Sequence, residues 1–409
     1  MKNALSGSQS ASPSSTPRNL AVFCQPSSWS KRMLLGMAGF LRNDSEWTLS
    51  PFECLQGFDA GKVTETLFAG AMVLDSGRCD ETLLLTVARQ LPTVVVGCSE
   101  FQEGVSTLAI DEIAVASLAA SVLTERGFKS VAFVGHMGHR RSAARQAAFC
   151  DALRSKGIAP FLFLTPDLSG QEPTTAEDLR HLRQKIRHWI VSLPHRTGLY
   201  AINDCLAYEC CRAALELGRS VPEQLAIIGT NDDELLCKIS NPGLSSIRIP
   251  FEKMGHDAAA ELVRLLRERE RGKAAEVRHR KFEPTGLIMR ESSNTFVVSD
   301  PVVGEAVQFI QNNFATPINV ESVIKALKVS RSVLERRFRE DLGVTPLMHL
   351  RRTRIERARE LLCDGSQSIQ SVGRQCGFSS AIRFATVFKE HIGVTPSQFR
   401  KQMLPNSIK

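Results

Sequence analysis

The sequence predicts an α/β front part folded as two lobes, followed by an all-α domain with two helix-turn-helix motifs. From about Asn19 to Met289, short β-rich runs alternate with amphipathic stretches, and that alternation builds parallel sheets covered by helices on both faces. The alternating part runs for roughly 270 residues, more than one sheet core usually supports. Beyond Pro301 the strand signals stop, and the rest of the chain has helical period, punctuated by Gly343, Pro346, Gly365, Gly377, Gly393 and Pro396.

Residues 1–18 are Ser-rich, with Pro13 and Pro17 and almost nothing apolar, so a disordered tail is expected: such a segment cannot offset its ordering entropy. Leu20–Cys24 is a short apolar run of strand type, and Lys31–Arg42 an amphipathic helix. Buried-strand runs recur at Gly70–Leu74, Thr93–Gly97, Ser130–Val134, Phe161–Leu164, Gly198–Ile202 and Leu225–Gly229. Helical spacing fills the intervals at Glu81–Gln90, Ala114–Arg126, Ala143–Ser155, the polar Thr175–Ser192, Leu206–Leu217 and Met254–Arg269. Phe282–Met289 reads as a last strand. Glu291–Pro301, with Ser292, Ser293, Asn294 and Ser299 ahead of Asp300-Pro301, reads as a linker. The expected boundaries are a tail over 1–18, a two-lobed domain over 19–290, a linker over 291–300 and a helical domain over 301–405.

The composition is 43% hydrophobic and 23% charged, that of a globular protein, and a length of 409 residues implies two or three domains. No run of about 18 apolar residues occurs, and the start lacks the charged, apolar and small-residue succession of a secretory leader. A cytoplasmic protein away from membranes is expected. The 11 cysteines are scattered with no Cys-x-x-Cys pair, so they read as reduced thiols rather than a zinc site. Gly135-His136-Met-Gly138-His139 lacks the Lys-Ser/Thr of a phosphate loop and a third metal ligand. No Gly-x-Ser-x-Gly elbow and no placeable carboxylate pair occurs. No enzyme activity, catalytic residue, cofactor or metal is therefore expected.

The charge is uneven. From Pro301 to Lys409 there are 17 Lys+Arg against 9 Asp+Glu, a balance of +8 that accounts for the whole chain's +8. Within that tail one pattern is written twice: Phe338-Arg-Glu-Asp-Leu342-Gly343-Val344-Thr345-Pro346 recurs fifty positions on as Phe388-Lys389-Glu-His-Ile392-Gly393-Val394-Thr395-Pro396. Each unit has the spacing of a short helix, a tight turn and a second helix, with Ser330 and Ser379 placed to cap the second helix. Leu334, Phe338 and Leu342 form one apolar stripe, and Phe384, Phe388 and Ile392 another; these should be core. Arg331, Ser332, Glu335, Arg336 and Arg339 then face outward in the first unit, and Ser380, Ala381, Arg383, Thr386 and Lys389 in the second. Helices with Arg and small polar groups suit the major groove of double-stranded DNA, where Arg pairs with guanine or grips phosphate. Leu347–Leu362, apolar on one face, can hold the two units at a fixed separation. The alternative is a basic helical bundle that recruits a protein.

Across residues 301–402 the tail resembles the DNA-binding domain of the AraC family of transcription regulators. The matching residues are Ser330-Arg-Ser-Val-Leu334-Glu-Arg-Arg-Phe338, Gly377-Phe378-Ser379 through Phe388-Lys389, Gly393-Val394-Thr395-Pro396 and Phe399-Arg400. It departs from that pattern at Ile324, where Ala is common, and at Lys328, where Gly is common.

In the front part, polar clusters sit at two strand ends: Asn203-Asp204, and Asn231-Asp232-Asp233-Glu234. Ligands of parallel sheets bind beyond the carboxyl ends of strands, and short amides and carboxylates suit sugar hydroxyls. Equally, Asp204 can cap a helix and 231–234 can form a turn. Trp29, just past the first strand, can stack on a sugar ring or simply pack. The runs Asn203-Asp204-Cys-Leu-Ala207, Val221-Pro222-Glu223, Ile227-Ile228-Gly229-Thr-Asn231-Asp232, Pro242-Gly-Leu244-Ser245-Ser246-Ile247 and Met254-Gly255-His-Asp-Ala258-Ala259 resemble the effector domain of LacI/GalR regulators. That domain is itself similar to periplasmic sugar-binding proteins. The resemblance implies a ligand cleft between two lobes and places Asn203, Asn231 and Arg145 against the ligand. Asn231 stands where that family has Asp, and Asp232 beside it can supply the missing charge. An effector domain of this kind ahead of an AraC-type tail resembles the family of bacterial xylose regulators. That resemblance implies a homodimeric transcription activator that answers to a small sugar such as D-xylose and works with RNA polymerase. A sugar-binding protein with a protein-recruiting tail, or a regulator sensing a non-sugar metabolite, are the other readings.

Overall fold

The computed structural model describes residues 18–403 apart from 43, 45, 54–66, 76–80, 99, 101–103, 166–175 and 299, so the expected tail over 1–17 lies outside the described residues. The first lobe opens with β1 (Arg18–Cys24), α1 (Ser28–Leu41), β2 (Trp47–Glu53), β3 (Gly70–Leu74), α2 (Glu81–Gln90), β4 (Thr93–Val96) and β5 (Ser106–Ile110). The chain then crosses to the second lobe: α3 (Glu112–Glu125), β6 (Ser130–His136), α4 (Arg140–Arg154), β7 (Phe161–Thr165), α5 (Ala176–Ser192), β8 (Thr197–Ala201), α6 (Asp204–Glu216), β9 (Leu225–Thr230), α7 (Glu234–Ile239) and β10 (Ser245–Arg248). It returns through α8 (Phe251–Glu270) and β11 (His279–Phe282) to the first lobe, and crosses a third time to β12 (Gly286–Ile288).

One sheet runs β11-β5-β4-β3-β1-β2 and the other β12-β10-β9-β8-β6-β7. The pairings are parallel except for β10 with β12. Alternation along β1 shows how the first sheet is covered on both faces: Leu20 and Val22 pack with Met33 and Met37 of α1, while Ala21 and Phe23 pack with Leu84 and Val87 of α2. Helices α1 and α8 touch backbone to backbone. A Cβ on Gly36 would lie 1.9 Å from the Glu252 carbonyl oxygen, and one on Gly255 2.0 Å from that of Met33. This contact fixes Trp29 and Arg32 of α1 beside Phe251 and Glu252 of α8.

The structure departs from the expected segments at three places. Phe282–Met289 is two short strands in different sheets, separated by the crossover Glu283-Pro284-Thr285, because proline has no donor for the ladder. Arg18, assigned to the tail, opens β1 opposite Trp47 and pairs with Glu46 and Glu270. The segment read as a linker is also bonded into the second lobe. Ser292 Oγ donates to the Ile227 carbonyl at 2.7 Å and accepts from the Ser245 amide at 2.9 Å, within a 3₁₀ turn over Glu291–Ser293.

The helical part comprises α9 (Pro301–Asn313), α10 (Val320–Leu327), α11 (Arg331–Leu342), α12 (Pro346–Asp364), α13 (Ile369–Gln375), α14 (Ala381–Ile392) and α15 (Pro396–Met403). Each repeat has its own core. Val303, Val307 and Ile310 of α9 pack with Val323, Leu334 and Phe338, whereas Val372, Cys376, Phe384 and Phe388 pack with Phe399 of α15. Helix α12 belongs to both, giving Leu350 to the first core and Ile355, Ala358 and Leu362 to the second. The cap of α14 is Ser380, whose Oγ accepts from the Arg383 amide, rather than Ser379; it is the fifty-residue counterpart of Ser330, which caps α11.

Lys328 ends α10 in the left-handed region, at φ 55° and ψ 39°, with its amide donating to the Ile324 carbonyl. That is the conformation for which glycine is usual at a helix end, and adopting it costs a side chain about 1 kcal/mol. Lys328→Gly should therefore stabilise the first repeat by roughly 0.5 kcal/mol once the extra freedom of the unfolded glycine is subtracted. Chemical denaturation of the two proteins at equal pH checks this, and an unchanged or lower midpoint for the variant contradicts it.

Candidate functional site

The carboxyl ends of the strands in the two sheets face each other across a cleft, and the side chains there fall into three groups. Asn203 follows β8 and caps α6, its Oδ1 accepting from the Leu206 amide at 2.9 Å. Its Nδ2 lies 3.5 Å from Nε2 of His136 at the end of β6, and His136 Nδ1 lies 2.8 Å from Thr165 Oγ1 at the end of β7. Asn231, at φ 105°, turns the chain after β9 so that its carbonyl accepts from Arg32 Nη1 at 2.9 Å. Arg32 grips Glu252 through Nε and Nη2 at 2.6 and 2.9 Å, so the first lobe is fastened to Asn231 of the second. Trp29, one turn before Arg32, is half-buried, with its ring 6.0 Å from that of Phe251.

A second span crosses elsewhere along the cleft. Arg141 Nη2 of α4 donates to the carbonyl of Asp75 at 2.8 Å and to that of Gly97, both in the first lobe. Its Nε pairs with Glu112 at 3.1 Å, and Arg145 Nε pairs with the other oxygen of the same carboxylate. Arg145 is fully buried, and its Nη1 donates to the Ile202 carbonyl at 2.7 Å, which ties α4 to the end of β8.

The two aspartates expected to meet a ligand are instead engaged inside the protein. Asp204, 1% exposed, accepts from Ser246 Oγ at 2.6 Å and from the Asp233 amide at 2.7 Å. Burial pushes its carboxyl up to about 8 despite those two donors. It therefore holds the loop carrying Asn231 rather than facing the cleft. Asp232 is buried between two guanidiniums: Arg248 reaches Oδ2 at 2.5 and 2.7 Å, and Arg290 reaches Oδ1 at 2.7 Å. Burial alone would raise its carboxyl, but the two cations hold it below the usual carboxylate range. Asp233 caps α7 through the Leu236 amide, and the run expected as a turn continues as that short helix.

Beyond the Asp232 fork, the Cys363 thiol of α12 lies close enough to Arg248 for the guanidinium to act on it electrostatically. Arg352, Glu356, Arg359 and Cys363 follow helical spacing along one stripe of α12, and all four meet the lobes. Arg352 pairs with Glu125 at 2.5 Å, Glu356 with Arg126 at 3.3 Å, and Arg359 donates to the Thr285 carbonyl. Arg126 is buried, stacked over Phe296 at 4.5 Å, with its carbonyl accepting from the Val297 amide at 2.8 Å. His349 of α12 contacts Phe296 of the connecting segment and Phe338 of α11, at 4.7 and 5.9 Å between rings.

On the helical part, the outward residues lie where the repeat places them. Arg331, Ser332, Arg336 and Arg339 are exposed on α11 and Glu335 is half-buried; on α14, Ala381, Arg383, Thr386 and Lys389 are exposed, with Ser380 at its cap. Much of the first set is paired within the protein: Arg331 with Glu321 and Glu335 at 3.1 and 3.0 Å, and Arg336 with Glu340 at 3.3 Å. Thr386 Oγ1 donates to the Ile382 carbonyl at 3.0 Å. Sequence reasoning passed over Arg32, Arg141, Arg248 and Arg290. Their one visible signal was a cation within a few residues of a strand or helix end that faces the cleft. Among the described residues no helix is long and apolar enough to cross a membrane.

Residues 120–293 match the model of a periplasmic binding protein-like domain, and residues 323–402 that of a helix-turn-helix domain. Similarity to the xylose operon regulatory protein of Escherichia coli (strain K12) runs at 29% identity over 93% of this chain and 95% of that protein. With the protein of that name from Haemophilus influenzae it is 29% over 76% and 79%. The solved structure of the xylose-binding transcription activator XylR superposes with a TM-score of 0.57 at 25% identity, covering 94% of this chain and 98% of that one. A cellobiose complex of the regulator CelR shares the two-lobed fold at 20% identity and a TM-score of 0.54, over 68% of this chain and 85% of that one.

The Asp204 carboxyl gives the second lobe a pH signature. Its folded value of about 8 lies above its ordinary 3.8, so its favourable contribution is complete below about pH 4 and is lost as pH rises through about 8. Asp204→Asn carries no such titration. Thermal midpoints of the two proteins should converge, or cross in favour of the variant, between pH 5 and about pH 8.5. A pH-independent gap between them is the contrary outcome.

Proposed function

We propose that this chain, a regulator of the xylose operon regulator type with an AraC-type DNA-binding domain behind a sugar-binding-type effector domain, activates transcription when a pentose, D-xylose foremost, occupies its cleft. The observation that carries this is the set of contacts by which the lobes hold α12, the helix common to both DNA-reading units: Arg126 with Glu356, Glu125 with Arg352, and the Thr285 carbonyl with Arg359. In this reading the Asn203 and Asn231 amides bond sugar hydroxyls, and Trp29 covers a ring face. Arg145 backs the second lobe, while Asp204 and Asp232 position the loop that bears Asn231. Arg32 and Arg141 already span the lobes, so a sugar that bridges the same edges biases the closed form by as much as it prefers that form.

Arg331, Ser332, Glu335, Arg336 and Arg339, with Ser380, Ala381, Arg383, Thr386 and Lys389, then face double-stranded DNA in successive major grooves. The active species is a homodimer. Helix α7 supports this with Leu235 and Ile239, 66% and 52% exposed one turn apart. The protein acts in the cytoplasm beside RNA polymerase, and no step of its work is catalytic.

Calorimetry of the full chain against D-xylose, L-arabinose, D-ribose and D-glucose should give heat with D-xylose most tightly, and no heat with any sugar sinks the sensing half. Retention on duplex DNA should fall steeply as salt rises. Arg383→Ala should cost about 1–3 kcal/mol on the preferred duplex and less on others if Arg383 meets a base. A salt-independent association with a protein instead of DNA favours the recruiting-tail reading. Glu356→Gln leaves Arg126 buried without its carboxylate. It should move the ratio of DNA affinities with and without D-xylose toward one, as measured by fluorescence anisotropy; a ratio like that of the unaltered protein contradicts the proposed route.

A further inference from the structure

Ile382 is 81% exposed, more than any other large apolar side chain among the described residues. It stands at the second position of α14, a helix whose other large apolar side chains pack on the core: Phe384, Val387 and Phe388 are buried in it and Ile392 partly so. Neither core packing nor helix propensity accounts for it, since β-branched residues are mediocre helix formers. Its neighbours sharpen the point. Ala381 beside it is exposed and apolar, and Thr386 one turn on commits its hydroxyl proton to the Ile382 carbonyl. Arg383 and Lys389, both exposed, flank this apolar tip with positive charge.

The other unit is built differently. Fifty positions earlier Ser332 occupies the matching place, among Arg331, Glu335 and Arg336, so the tip of α11 is a set of donors and acceptors. The end of α14 that points toward base edges in this docking mode therefore carries a hydrocarbon surface with Arg383 beside it and Lys389 two turns further on. In the major groove the apolar feature on a base edge is the C5-methyl of thymine. We propose that Ile382 is a specificity-determining residue that reads a thymine methyl, making α14 the A·T-preferring reader and α11 the polar one. This rests on the reading of the tail as a DNA-binding domain.

The test uses the full chain with D-xylose present and a duplex recovered by selection from a random library. Each dT of that duplex is replaced singly by dU, which deletes the methyl and nothing else. The unaltered protein should lose about fourfold in affinity at one or two thymines of a single half-site, the worth of a desolvated methyl-sized group. Ile382→Ala, which removes an exposed side chain in favour of a better helix former, should keep its fold, lose a similar factor on the dT duplex, and be indifferent to the same dU replacement. Ile382→Gln should shift preference at that pair toward adenine on the contacted strand. If no dT→dU change matters, or Ile382→Ala remains as sensitive to it as the unaltered protein, the assignment is overturned while DNA binding stands. An Ile382→Ala protein that binds all duplexes like the original overturns it too, and makes the side chain a protein contact. Failure to recover any duplex overturns both this assignment and the reading beneath it.

Discussion

The contact between the two domains centres on a buried arginine and its half-buried carboxylate partner. Arg126, at the end of α3, is enclosed between the lobes and α12, with Glu356 at 3.3 Å, the Phe296 ring beneath it at 4.5 Å, and the Thr295 carbonyl at 3.3 Å. A guanidinium removed from water is tolerable only where its charge is met, and a pair of this kind specifies geometry more than it adds stability. Its neighbours show the same constraint. Burial, with Arg126 and Arg352 nearby, pushes His349 down to about 4, so that ring sits neutral between Phe296 and Phe338. Gly127 follows Arg126 at φ +84°, and a Cβ there would lie 2.3 Å from the Val297 carbonyl oxygen, so the chain leaving α3 lies flush against the segment that leads to the helical domain.

From that anchor, α12 serves three surfaces. Leu350 fills the first repeat's core, Ile355, Ala358 and Leu362 fill the second's, and the stripe Arg352, Glu356, Arg359 and Cys363 faces the lobes. Any shift of the lobes felt by that stripe reaches both repeats at once, because the two cores share this helix. The Asp232 fork lies next to it: Arg248 holds Asp232 with one nitrogen pair, and its charge acts on the nearby Cys363 thiol.

Pattern encodes some of this architecture and leaves the rest to tertiary contact. Runs such as Gly70–Leu74 and Glu81–Gln90 announced themselves through period and hydrophobicity and match β3 and α2 at both ends. Missed strands broke the pattern for physical reasons. β2 contains Pro51, tolerable because β2 lies at the sheet's edge, and β10 begins with two serines whose hydroxyls are taken up by Arg290 and Asp204. The duplicated unit was legible because residue spacing alone builds it, including the Ser330 cap, whereas the second cap is Ser380 and not the neighbouring Ser379. The fate of Asp204 and Asp232 was not. Residue type reveals that a carboxylate is present, but which donors claim its oxygens depends on Ser246, Arg248 and Arg290, between 16 and 58 positions away.

The cleft spans bear on how a small ligand can command a molecule of this size. Arg32 to the Asn231 carbonyl, and Arg141 to the Asp75 and Gly97 carbonyls, are hydrogen bonds from charged donors across the lobes. Such bonds contribute about 1.5–3 kcal/mol each when sheltered, with Arg32 toward the low end because it remains partly solvated. Together the two spans are comparable with the roughly 5.5 kcal/mol of differential affinity needed to invert a two-state population from 1:99 to 99:1. A ligand that adds hydroxyl contacts to these same edges strengthens an arrangement in which the lobes are already joined. It acts on edges that the arginines already join, and α12, fastened to the second lobe through Arg126 and Glu356, follows that lobe.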